Sequence, residues 1–188
     1  MWEETAQPLF RKKIRAEELP DFLGMIRAQG ARVGDLMFVC VGTDRSTGDA
    51  LGPLVGSLLE EAGYRQVIGT LAHPLDASNL PMRLAGLPAD RVVLAVDACL
   101  GQPSSLGYYQ VSNRPLAPGK SVGRQLPPVG TYSIAAIVNV NQGQKYALLQ
   151  STSLYVVMNM AKEIAAAIRS IFPPDYSAAR SVQIEEGI

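Results

Sequence analysis

Three short runs, LMFVCV (36–41), RVVLAVDA (91–98) and SIAAIVNVN (133–141), are almost unbroken apolar stretches rich in strand formers. They constrain the chain more than any other feature. A strand that is apolar on both faces has to be covered on both faces, the condition of a buried parallel strand in an α/β protein. After the first run comes ALGPLVGSLLEEAGY (50–64), where Leu51, Leu54, Val55, Leu58 and Leu59 form one stripe at helical spacing and Gly63 marks the end. Pro53 fits that helix only in its first turn, so the helix starts near Gly48 to Ala50. QVIGTLA (66–72) reads as another strand and ASNLPMRLAGL (77–87) as a short helix, completing a βαβαβ unit. Such a unit predicts an α/β fold: a three-layer α/β/α sandwich around a mostly parallel twisted sheet, with the first and third of these strands adjacent.

The flanking segments extend this core. AEELPDFLGMIRAQ (16–29) carries Leu19, Phe22, Leu23 and Ile26 at helical spacing before Gly30. GYYQVSN (107–113) alternates, which suits an edge or antiparallel strand. The segment 114–133 is rich in Pro, Gly and Ser and reads as a long loop, a length often tied to function. A long amphipathic helix is expected over 151–172, capped by Ser151 or Thr152 and stopped by Pro173 and Pro174. At 188 residues there is material for one core. The expected organisation is a single domain over 1–188: an N-terminal extension with a packing helix (1–35), an α/β core (36–172) and a C-terminal tail (173–188).

Charge and composition exclude several classes. Seventeen basic residues balance seventeen acidic ones, so no global field gathers nucleic acid or an anionic membrane. The basic run RKKIR (11–15) reads as a solvated face. No apolar run approaches the ~20 residues of a membrane span, and the acidic WEETAQPLF start does not resemble a secretory signal. Cys40 and Cys99 lie in apolar segments as small hydrophobes, in keeping with a reducing cytoplasm.

Chemistry concentrates after the first strand, in GTDRSTGDALGP (42–53). Ligands of open α/β sheets sit beyond the carboxyl ends of the strands, where strand order reverses. Asp44 and Asp49 follow the first strand and Asp97 ends the third, so these carboxylates are expected to meet in one crevice. Two close carboxylates do not ionise together cheaply; one holds a proton as acid while the other acts as base toward water. The catalytic candidates are therefore Asp49 and Asp97, with Asp44, Arg45 and Thr131 as candidate substrate-binding residues in the adjoining loops. Two other uses of the same crevice stand beside this one: a hard cation held by Asp44, Asp49 and Asp97, and a binding module without catalysis. The loop lacks the Lys of a P-loop and the glycine spacing of a dinucleotide fingerprint. The single histidine, His73, could serve Cys99 only if the fold brought them together. No cofactor and no metal is expected, and assembly into a homo-oligomer is left open.

The pairing of GTDRSTGDALGPLVG with VVLAVDA resembles the germination protease family of spore-forming bacteria and, more closely, the YyaC-type sporulation proteins, over about 36–172. That resemblance implies a phosphorylase/hydrolase-like α/β fold shared with hydrogenase maturation proteases. It implies catalytic aspartates at Asp49 and Asp97, and peptide hydrolysis of small acid-soluble spore proteins in the forespore or spore interior. The chain is shorter than those proteases, and Asp44 and Arg45 replace uncharged residues. LPPVGTYS (126–133) has no histidine where the hydrogenase maturation proteases bind metal.

Overall fold

The computed structural model describes residues 8–88, 90–119 and 126–175. The 120–125 part of the long loop, the first seven residues and the tail from 176 onward lie outside them. The strands are β1 Arg11–Ile14, β2 Leu36–Cys40, β3 Val67–Ile68, β4 Val92–Gly101, β5 Tyr109–Ser112 and β6 Tyr132–Val140. The helices are α1 Leu19–Ala28, α2 Leu51–Glu61, α3 Leu80–Ala85, α4 Lys145–Gln150 and α5 Leu154–Ile171. One mixed sheet runs in the order β1-β5-β6-β4-β2-β3. Strand β2 is parallel to β3 and β4, β4 is parallel to β6, and β5 is antiparallel to both β6 and β1. The expected α/β architecture is present, with β2 between its two successors.

The two faces of the sheet are covered unequally. On one face Phe38, Leu94, Val96, Ile134 and Val138 meet α1, α2 and α5 through Leu23, Ile26, Val55, Leu59, Val157 and Ile164. Each such buried side chain contributes about 1.5–3 kcal/mol, so this layer holds most of the stability. The other face has a smaller cluster of Val39, Val41, Leu75, Leu80, Ala95 and Val129, with Leu84 of α3 and with Leu116 and Leu126 packed against it. Alternation along β4 sends Val96 and Ala98 into the helix-covered layer and Ala95 to the opposite face, so Asp97 stands on the thinly covered side.

Several sequence expectations change. The basic run at 11–15 contributes an edge strand: Lys12 and Lys13 are exposed but their backbone pairs with β5. Positive charge on such an edge opposes pairing with a second chain. β5 is thus antiparallel and internal, with β1 outside it. The strand expected over 66–72 shortens to two residues, because Gly69 turns at φ 92°. α4 was not foreseen. It ends where the Ser151 and Thr152 hydroxyls bond back to the Leu148 carbonyl, so α5 starts later, after Ser153. Strand β4 runs on to Gly101 rather than ending at Asp97. Among the described residues no helix is long and apolar enough to cross a membrane.

Candidate functional site

Asp97 lies where β2 stops. The Val41 amide donates to the Val96 carbonyl at 2.8 Å, just beyond the end of β2, and past that point β4 continues with only β6 beside it. The β4–β6 register slips between Cys99 and Leu100, a local irregularity of the kind that re-aims side chains beside functional sites. A wall of Asp97 is therefore open toward the turn that follows β2.

That turn brings Asp49. Gly42 has φ 148°, and a Cβ there would stand 2.0 Å from the Asp49 carbonyl oxygen; only glycine lets the helix start fold back this tightly. The Thr43 amide donates to that carbonyl at 3.2 Å and the Gly42 amide donates to the Leu75 carbonyl at 2.9 Å. At Gly52 an added Cβ would meet the Val41 oxygen at 2.0 Å, so α2 rests directly on the strand end. Asp49 sits in the 3-10 turn Gly48–Ala50 that leads into α2, where the helix dipole favours a negative charge.

The two carboxylates share one cavity of about 660 Å³, whose wall also includes Thr43, Arg45, Ser46, Asp76, Ser78, Leu126 and Tyr146. This volume is within the range of small-ligand and peptide sites. A second cavity of about 290 Å³ lies on the other side of Asp97, lined by Arg11, Cys99, Gln110, Ser133 and Ala135. Asp97, Ala98 and Gly119 belong to both walls, so Asp97 stands at their junction.

Electrostatics separates the pair. Burial pushes the Asp97 carboxyl up to about 8; the hydrogen bond from the Ala98 amide (2.8 Å) opposes this and the neighbouring Asp49 charge adds to it. Asp49 is also raised, by burial, against the opposing effect of the Ser46 hydroxyl. A protonated Asp97 beside a more readily ionised Asp49 is an acid and a base in one cavity.

The remaining candidates separate. Arg45 reaches across the rim, donating to Asp76 Oδ2 at 2.5 Å and to Thr43 Oγ1 at 3.2 Å. Asp76 is held by the Ser78 amide and hydroxyl, and these bonds, together with the Arg45 charge, keep its carboxyl below the ordinary range against the cost of burial. Asp44 is exposed and is not part of either wall. Thr131 is at the opposite end of the sheet: its amide donates to the Val93 carbonyl and its hydroxyl accepts from the Val93 amide. It therefore does not reach the cavity. Among the described residues no group of three or more His, Cys, Asp or Glu side chains could hold a metal ion, so Asp44 does not complete a cation site with Asp49 and Asp97. His73 lines neither cavity while Cys99 lines the smaller one, and burial pushes the Cys99 thiol up to about 12. That is not a nucleophile and its base.

Sequence reasoning missed Ser46, Asp76 and Tyr146. The first lies inside GTDRSTGDALGP, and Asp76 heads the D-x-S turn signal of LDASN. Tyr146 had no signal, because its helix was not foreseen.

A family model described as "Protein of unknown function (DUF1256)" matches residues 11–167. The "Uncharacterized protein YyaC" of Bacillus subtilis (strain 168) is 45% identical over 135 residues, covering 69% of this chain and 66% of that protein. The chain thus spans just under two thirds of that relative. Among solved structures, the [NiFe] hydrogenase maturation protease HycI from Thermococcus kodakarensis KOD1 superposes with a TM-score of 0.52 at 18% identity, over 79% of this chain and 97% of that one. At that identity the likeness shows the fold.

Proposed function

The chain belongs to the DUF1256 family, and from that premise and its paired aspartates we propose a peptidase that uses Asp49 and Asp97 to activate water against a peptide bond. The observation that carries this reading is geometric: Asp49, at a helix start, and Asp97 line one cavity, where burial raises both carboxyls, that of Asp97 to about 8. Asp49 takes a proton from water as the water oxygen bonds to the carbonyl carbon. Asp97 gives its proton to the departing nitrogen as the C–N bond breaks, and the two then exchange the proton to reset. Junction of the two cavities at Asp97 leaves room for a chain on either side of the cleaved bond. That a protease shares this fold supports the assignment. Arg45 and Asp76 form a charged rim where a substrate chain enters.

The substrate is a protein or peptide, and the resemblance to germination proteases makes a small acid-soluble spore protein the first to test. Wild type, Asp49→Asn and Asp97→Asn are incubated with it between pH 5 and 9. Cleavage by wild type, reduced about 10²–10⁴-fold in each variant, supports the proposal. No cleavage at any pH, or equal cleavage by all three proteins, overturns it.

A further inference from the structure

Ser46 has a feature that the dyad alone does not explain. Its side chain is only 3% exposed, it lines the larger cavity beside Asp49, and its hydroxyl makes no hydrogen bond of normal geometry. A buried hydroxyl without a partner is costly, and native structures rarely leave one so. Ser46 is the residue type that caps helices, yet no side-chain bond caps the 48–50 turn. The Ser46 carbonyl, by contrast, is used, accepting from the Ala50 amide at 3.0 Å. The backbone thus fixes the residue while its hydroxyl, at the cavity wall, keeps bonding capacity to spare. It acts on Asp49, whose ionised form it favours.

We propose that the Ser46 hydroxyl holds the attacking water against Asp49, donating to one carboxylate oxygen and accepting one of the water's hydrogens. A hydroxyl has one donor and two acceptor sites, so both bonds can form together. The water's second hydrogen then points to the other Asp49 oxygen, which removes it, and the remaining lone pair faces the substrate carbonyl. Ser46 thereby fixes the direction of attack, and it identifies Asp49 rather than Asp97 as the base. This assignment rests on the peptidase reading for its chemistry but not for its test.

The test follows the carboxyl carbon of Asp49 by NMR through a pH titration without substrate, in wild type, Ser46→Ala and Ser46→Thr. The Asp49 midpoint moves up in Ser46→Ala and stays near wild type in Ser46→Thr. Relative to wild type, the thermal stability of Ser46→Ala is not lowered at low pH, where Asp49 is protonated, and falls as pH rises through the Asp49 midpoint, because the variant loses the hydroxyl that favours the ionised carboxylate. With a cleavable peptide, Ser46→Ala lowers kcat/KM about 10- to 100-fold, and the acidic limb of its pH profile shifts up with the Asp49 midpoint. An Asp49 midpoint that is the same in Ser46→Ala and wild type overturns the assignment, even where peptides are cut. Failure of wild type to cut any peptide removes the peptidase reading, and the titration still decides Ser46. Should Thr not fit the site, the Ala titration is sufficient.

Discussion

Asp49 and Asp97 line one cavity beside the end of β2, one in the turn that opens the following helix and the other on the neighbouring strand β4, and the charge of Asp49 raises the pKa of Asp97. Two residues far apart in sequence thus titrate in one cavity.

Stability follows from that position. Below the unfolded-state value near 3.8, Asp97 is protonated in both states and contributes nothing to pH dependence. As pH rises toward about 8 the unfolded chain releases the proton while the folded one keeps it, so the folded state loses ground through this window and then levels off. Asp97→Asn removes the penalty and keeps an oxygen for the Ala98 amide. Urea unfolding at several pH values should find the variant equal to wild type near pH 3 and increasingly more stable up to pH 8.

Activity should carry the same signature. The reaction needs Asp97 protonated, so kcat/KM falls as pH rises through about 8. The acidic limb reports ionisation of Asp49. A pH profile on any cleaved peptide checks both limbs.

Close packing of α2 on β2 gives a stability contrast. Gly52→Ala places a Cβ 2.0 Å from the Val41 oxygen and should cost about 3 kcal/mol, at the upper end of overpacking. Gly24 lies within α1 with open space around its Cβ position. Gly24→Ala should therefore stabilise by about 0.5–1 kcal/mol. Denaturant midpoints of the two variants make the comparison.

The rim pair is unequal. The Arg45 side chain is 74% exposed and that of Asp76 only 18%. Arg45→Ala should change stability by less than about 0.5 kcal/mol. Asp76→Ala strips the Ser78 bonds as well and should cost about 1–2 kcal/mol. If the rim binds substrate, Arg45→Ala raises KM with kcat little changed.

Most of the sheet was legible because β2, β4 and β6 are apolar on both sides, and that pattern has one packing solution. Its placement of β2 beside β4 also followed from topology, which put Asp49 and Asp97 near each other. β1 escaped notice because an edge strand with one buried residue, Ile14, carries almost no periodic signal. The β3 expectation ran too long because Gly69 turns the backbone at φ 92°, in a place where an added Cβ would meet the Cys40 oxygen. Thr131 was placed by loop membership, but it sits just before β6, bonded to Val93 near the start of β4 and away from the cavity. Ser46 could be read as a residue in the right loop, while its unpaired hydroxyl is a property of packing alone.

The most direct measurement is a carbon-detected titration of the Asp97 carboxyl in wild type and Asp49→Asn. A coupled, buried pair gives a midpoint near 8 in wild type and a lower one, still above 3.8, once the Asp49 charge is gone. A wild-type midpoint close to 3.8, or one that Asp49→Asn leaves unmoved, contradicts the shared cavity on which the chemistry depends.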